Sequence, residues 1–168
     1  GKKALVEHTS INPNASPHLG RARNAIIGDS VARLLKFEGY KVETHYYVND
    51  IGKQIAMLVL ACKNKRPVFK QLLSLYVNFS RNLEKHPELE KQVFSMLFNL
   101  EKKDRKTLKK FREVVNICIK GQSAILKEIG IEYNNFDYES IFLFSKETEN
   151  ILKQLEKLAK EKGANFII

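Results

Sequence analysis

Apolar positions along the chain change period several times, and each change marks an element. Ala4-Leu5-Val6 is a short continuous apolar run, as expected of a buried strand. Ile27, Val31, Leu34 and Leu35 recur at helical spacing, which predicts a helix starting near Gly20 with those residues as its apolar face. Gly39, in Glu38-Gly39-Tyr40, suits the left-handed position that closes such a helix. From Val42 to Val48 the period falls to that of a strand. Val42, Thr44, Tyr46 and Val48 face one way there, and Glu43, His45 and Tyr47 the other. Strand, helix and strand with short joins make a βαβ unit, hence a parallel pair with a right-handed crossover.

Helical spacing returns at residues 51–60, with Ile55, Leu58 and Val59 inward, and again at residues 67–83, 89–100 and 104–129. Phe69, Leu72, Leu73, Tyr76 and Val77 form the stripe of the first of these later helices. Val93, Phe94, Met96, Leu97 and Leu100 form that of the second. Leu108, Phe111, Val115, Cys118, Gln122, Ile125 and Ile129 mark one side of the third. Residues 146–162 read as an amphipathic helix carrying Ile151, Leu152, Leu155 and Leu158, and Asn165 to Ile168 as the start of a strand.

The stretch from Asn12 to Asn24 joins the first strand to the first helix. In its loop part, residues 12–17, two prolines, two asparagines and a serine turn the backbone sharply. A helix starting near Gly20 aims its unpaired N–H groups and positive dipole end back at that loop, where an anion is held. Gly20 allows close approach to the backbone, and His18 stands at the mouth as a donor to phosphate oxygens. Ligands of parallel sheets bind beyond the carboxyl ends of the strands, and both Ser10 to Gly20 and Asn49 to Gln54 fall there. This outlines a nucleotide site. The same residue types also serve proteins in which a lone histidine merely caps a helix or lies on the surface.

Charge and cysteine content narrow the picture. The 168 residues, 43% of them hydrophobic, suffice for one domain with a real core. Lys+Arg 29 against Asp+Glu 19 leaves a net charge of +10, which favours a polyanionic partner, nucleic acid above all. Lys103, Lys106, Lys109, Lys110 and Arg112 crowd the start of the third later helix. There they form either a solvated face or a surface for an RNA backbone. Cys62 and Cys118 are isolated and lack metal-ligand spacing, so no metal site is expected and a reducing cytoplasm is. No basic-then-apolar leader and no long apolar run is present, so neither secretion nor a membrane span is expected.

Linked motifs then suggest a family. Val6-Glu7-His8-Thr9-Ser10-Ile11-Asn12, then His18-Leu19-Gly20-Arg21 and Ile26-Ile27-Gly28-Asp29, resemble the catalytic core of class I aminoacyl-tRNA synthetases, specifically arginyl-tRNA synthetases. Asn49-Asp50-Ile51-Gly52-Lys53-Gln54 is similar to that family's Gly-Asp-x-Gly-x-Gln landmark. Ile125 to Tyr133 and Asp137-Tyr138-Glu139-Ser140 resemble its return to the sheet through a Gly-Ile-x-Phe-Asp strand and a Glu-Ser pair. Two positions depart from the pattern. Arg21 stands where the signature's second histidine does, keeping a donor, a charge and a flat surface for adenine. Tyr46 replaces an asparagine and bears on the fine positioning of substrate.

The resemblance implies an α/β fold, the N-terminal half of a Rossmann-like nucleotide-binding fold with a helical insertion. Residues 1–62 would be the first half of the core, 63–120 the insertion, and 121–168 the return to the parallel sheet, truncated before the second half. It further implies an ATP-dependent arginine–tRNA ligase, here an inactive fragment of a monomeric cytoplasmic parent. Its substrates are L-arginine, tRNA-Arg and ATP, with Mg2+ accompanying the ATP. His18 and Arg21 would be catalytic, and His18, Gly20, Arg21 and Asn24 would bind ATP. Ser10, Asn12, Asp50 and Gln54 would bind arginine, Asp50 being equally suited to cap the following helix. Lys103, Lys106, Lys109 and Lys110 are the RNA-contact candidates. A non-catalytic RNA-binding or regulatory paralogue is the alternative, favoured by Arg21, Tyr46 and the missing second half.

Overall fold

A computed structural model describes residues 1–14, 16–63 and 66–162. The predicted strand at Asn165 to Ile168 lies outside the described residues. The opening unit is β1 (Lys3–Thr9), α1 (Leu19–Phe37) and β2 (Lys41–Val48). After it come α2 (Lys53–Cys62), α3 (Phe69–Lys85), α4 (Leu89–Glu101) and α5 (Arg105–Glu128). The chain then returns through β3 (Asn135–Tyr138), the short α6 (Glu139–Leu143) and α7 (Lys146–Glu161).

The strands form a three-stranded sheet in the order β1-β2-β3, parallel throughout. Val6 pairs with Thr44, and Val48 with Tyr138, so the carboxyl ends of all the strands gather on one side. β2 lies between the others, and its Val42, Thr44, Tyr46 and Val48 are all buried, as the alternation predicts. The core continues from β2 into α2, where Ile55, Leu58 and Val59 are joined by Ala56 and Met57. From there it passes to Leu72, Val93, Phe111 and Val115 on α3, α4 and α5. Leu73, Phe94 and Ile129, expected in packing stripes, are instead more than half or half exposed at 50%, 55% and 55%. α5 runs without a break across residue 120, so α5 itself carries the chain from the helical layer back to the sheet.

α1 does not bury the face its large aliphatic residues predict. Ile27, Val31 and Leu34 are exposed, whereas Ala25, Gly28 and Ala32 are buried against the sheet. Small residues let the helix axis approach β1 closely, and a Cβ placed on Gly28 would run into Cβ of His8. Replacing Gly28 with Ala is therefore expected to cost about 1–3 kcal/mol through overpacking, against roughly 1 kcal/mol gained in helix propensity. A lowered thermal unfolding midpoint checks this; an unchanged or raised one would mean that α1 can lift from the sheet freely. α7 likewise leaves Ile151, Leu155 and Leu158 exposed. Among the described residues no helix is long and apolar enough to cross a membrane.

Candidate functional site

The loop between β1 and α1 makes one tight turn of its own, Asn14 N donating to the Asn12 carbonyl at 2.8 Å, and is held besides by amides from α2 and α5. Gln54, in the first turn of α2, accepts through Oε1 from Nδ2 of both Asn12 and Asn14, each at 2.9 Å. From the other side Gln122 of α5 donates through Nε2 to the Asn12 carbonyl at 3.1 Å. Tyr46 closes the arrangement. Its hydroxyl proton is shared between Gln122 Oε1 at 2.7 Å and the Ile11 carbonyl at 3.2 Å, with the ring fully buried. Burial first, then the Tyr133 and Cys118 neighbours, push the phenol well above its ordinary range, while the Arg21 charge pulls it back. The departures Arg21 and Tyr46 are thus electrostatic neighbours. Tyr46 acts as a strut, from the middle strand to the loop and α5.

A second polar chain stands beside this one. His8 Nδ1 lies 2.7 Å from Thr9 Oγ1, which lies 2.8 Å from the hydroxyl of Tyr133. Burial lowers the His8 pKa, against an opposing pull from Asp29, so the neutral imidazole is the form that packs beneath α1. Tyr133 is pushed up to about 12, mainly by burial.

At the mouth, His18 is the N-cap of α1. Its carbonyl accepts from the N–H groups of Arg21 at 2.9 Å and Ala22 at 3.0 Å, and its side chain makes no capping bond. The exposed imidazole folds over Gly20, whose missing Cβ would meet His18 Cε1 at 3.3 Å. No acidic residue occupies the first turn of α1, so the helix start, the imidazole and Arg21 together present donors and positive potential. Asn24 lies one turn further on, also exposed.

On the α2 side of the same loop a cleft of about 130 Å³ is lined by Asn12, Asn49, Gly52, Lys53 and Gln54, with Ile51 and Ile55. Gly52 holds φ at +133°, a conformation only glycine adopts without strain, and this lets the chain turn from β2 into α2 along the cleft wall. Of the residues expected to bind arginine, the structure brings Asn12 and Gln54 together here. Ser10 is exposed at the end of β1 and lies outside the cleft lining. Asp50 is buried and already engaged, accepting from Ser140 N at 2.8 Å and Ser140 Oγ at 2.6 Å. It caps a helix, but that helix is α6 and not α2, which immediately follows it.

The capped turn places Glu139 at the same edge. With its amide turned to suit its neighbours, Asn49 donates through Nδ2 to Glu139 Oε2 at 2.9 Å. Burial and then the Asp50 charge raise the Glu139 pKa. Glu139, Asn49, Asn14 and Gln122 are absent from the sequence-derived site. Asn49 and Glu139 flank motif positions and could have been found from them. Gln122 lies 76 residues from Tyr46, and no spacing signals that bond.

The basic residues divide. Lys106, Lys109 and Lys110 share one cleft with Arg66. Lys103 does not line it; in a left-handed conformation after α4, at φ +57°, it sets its ammonium 5.2 Å from the Phe144 ring centre. Among the described residues no group of three or more His, Cys, Asp or Glu is placed to hold a metal ion.

A parallel sheet with its loops gathered at the carboxyl ends of the strands places the chain among the open α/β proteins as a class. Residues 1–168 match the family of class I tRNA synthetases (R), catalytic domain, and the chain belongs to that family. An arginine–tRNA ligase of Archaeoglobus fulgidus is 40% identical over 167 residues, which is 95% of this chain and 30% of the relative. One from Methanocaldococcus jannaschii is 35% identical over 168 residues, covering 94% of this chain and 30% of the relative. The structure of Thermus thermophilus arginyl-tRNA synthetase superposes with a TM-score of 0.78 at 27% identity, over 94% of this chain and 27% of that one. The chain thus spans about 30% of the length of the curated relatives it matches.

Proposed function

We propose that the full-length protein carrying this chain is an arginine–tRNA ligase, and that this segment supplies the nucleotide-binding start of its catalytic domain. The observation that carries the reading is the amide-held loop, which joins the Asn12–Gln54 cleft to the α1 start at the strand ends. In this reading residues 1–62 are the first half of the core, 63–120 a helical insertion and 121–168 the return to the sheet.

The reaction proposed has two steps. The arginine carboxylate attacks the α-phosphorus of ATP and pyrophosphate leaves; the terminal ribose of tRNA-Arg then attacks the acyl carbon and AMP leaves. No side chain becomes covalently bound, so the work is positioning and charge stabilisation. His18 donates to the phosphate oxygens as charge builds on them, supported by the N–H groups of Leu19 and Gly20. Gly20, Arg21 and Asn24 frame the adenine side. Asn12 and Gln54 hold the amino and carboxylate groups of arginine. Glu139, beside Asp50, faces its guanidinium, a planar cation suited to a fixed carboxylate. The donors at the mouth are an imidazole, a guanidinium and N–H groups, which fit an anion and not a metal ion. Mg2+ would therefore accompany the ATP phosphates, and no step above passes through it. The protein works as a monomer in the cytoplasm, with no membrane partner.

The test is aminoacylation of a tRNA-Arg transcript by the full-length protein with each amino acid in turn. Charging with arginine alone is expected. No charging, with transcript binding retained, would favour the non-catalytic RNA-binding paralogue.

A further inference from the structure

At the opposite end of α2 from the arginine cleft, a separate cavity of about 350 Å³ opens between the end of α2 and the first turns of α5. Its floor is apolar, formed by Val59 and Val114, both 5% exposed. Its charged lining is Arg66, Lys106, Lys109 and Lys110, with one carboxylate, Glu113, among them. Among the described residues none of the three lysines lies in an ion pair within 4.0 Å. Arg66 has only Glu113, at 3.8 Å, with both side chains well exposed, a pair worth little in water. The α5 start needs no external anion of its own, because Asp104 accepts from Thr107 N and Thr107 Oγ1, each at 2.8 Å. The cations therefore serve something other than the helix dipole.

We propose that this cavity seats one nucleotide of an RNA strand, its base against Val59 and Val114 and the flanking phosphates on Arg66 and the lysines. The inference rests on the tRNA partner proposed above. The volume lies within the range of about 300–1,000 Å³ found for small-ligand sites. Lys106 and Lys110 are one turn apart on the same helix face, roughly 6 Å along the axis, so their ammonium groups can follow consecutive phosphates. A free phosphate would leave the apolar floor uncovered. An extended acidic peptide would present its charges without a flat group to fill the space between them. A nucleotide covers the floor and neutralises the rim at once. Lys103, held over Phe144, takes no part.

The test compares two charge-matched variants of the full-length protein, Lys109→Ala/Lys110→Ala and the control Lys153→Ala/Lys157→Ala on α7. Affinity for a tRNA-Arg transcript is read by fluorescence anisotropy across a salt series. The cleft pair is expected to weaken binding about tenfold or more and to lower the slope of log affinity against log salt by about 2. The control should do neither. Equal losses from both pairs, or none from the cleft pair, overturn the proposal. A transcript carrying 4-thiouridine should also cross-link to peptides from residues 55–66 or 105–115; cross-links confined to other segments overturn the seating of the base. A protein that binds the transcript through this cleft but never exchanges arginine would sink the ligase reading and leave the cleft standing.

Discussion

Replacing His18 with Ala in the full-length protein is expected to slow adenylate formation by about 10²–10³-fold while changing arginine affinity little. The imidazole is exposed at the head of α1 and makes no capping bond, so the helix loses no partner when it is removed. Folding should therefore be unaffected, and the loss should appear in the chemical step. A donor aimed at charge that exists only in the transition state acts on kcat, and removing one such donor typically costs about 2.7–4 kcal/mol. The measurement is ATP–pyrophosphate exchange at saturating ATP, with the arginine dissociation constant obtained separately. A parallel fall in affinity and rate would show that His18 binds the ground state and transition state alike. An unchanged rate would remove the mouth of α1 from the reaction altogether.

Much of this arrangement was legible before any coordinates, because it depends on local pattern. The alternation at Val42, Thr44, Tyr46 and Val48 identifies the buried face of β2, and helical spacing locates α2 to α5 within a few residues. α1 shows where pattern misleads. Its large residues line one stripe, as in any amphipathic helix, yet the sheet takes the face made by Ala25, Gly28 and Ala32. A count of bulky apolar residues is blind to a helix that packs through what it lacks. α6 was too short, at Glu139–Leu143, to show a period at all, and with it went the helix that Asp50 caps.

The candidate site divides along the same line. Residues that act through chain direction, such as His18 and Gly20 at the helix start, could be placed from strand, turn and helix alone. Residues that act across the fold could not. Tyr46, read as a departure near the substrate, proves to be a buried strut whose partner Gln122 comes from α5. Gln122 also donates to the Asn12 carbonyl, so the β1–α1 loop is tied directly to α5, the helix that bears Lys106, Lys109 and Lys110. The lysines in turn looked like one basic run. The left-handed turn at Lys103 separates it from the three that share a cleft, and no reading of charge along the chain could have divided them.

Gln54 offers the sharpest separation of holding the site from touching the substrate. Its Oε1 accepts from two amides, Asn12 and Asn14, and its side chain also lines the cleft proposed for arginine. Gln54→Leu removes that acceptor, leaving the buried Asn14 amide without this partner. A buried donor left unmatched costs about 1–3 kcal/mol, and the released loop shifts Asn12. Displacement of a positioning group by about 1 Å is enough for a loss near 10²-fold, so kcat/KM for arginine is expected to fall by that order. Gln54→Glu should behave differently. A carboxylate oxygen still accepts from both asparagines, so the unfolding free energy should stay within about 0.5 kcal/mol of that of the unmodified protein. Arginine binding should remain weak, because the Nε2 donor is gone and a negative charge now faces the amino acid's own carboxylate. Full recovery of arginine affinity in Gln54→Glu would reduce Gln54 to a support for the loop and leave Asn12 as the amide that meets the substrate.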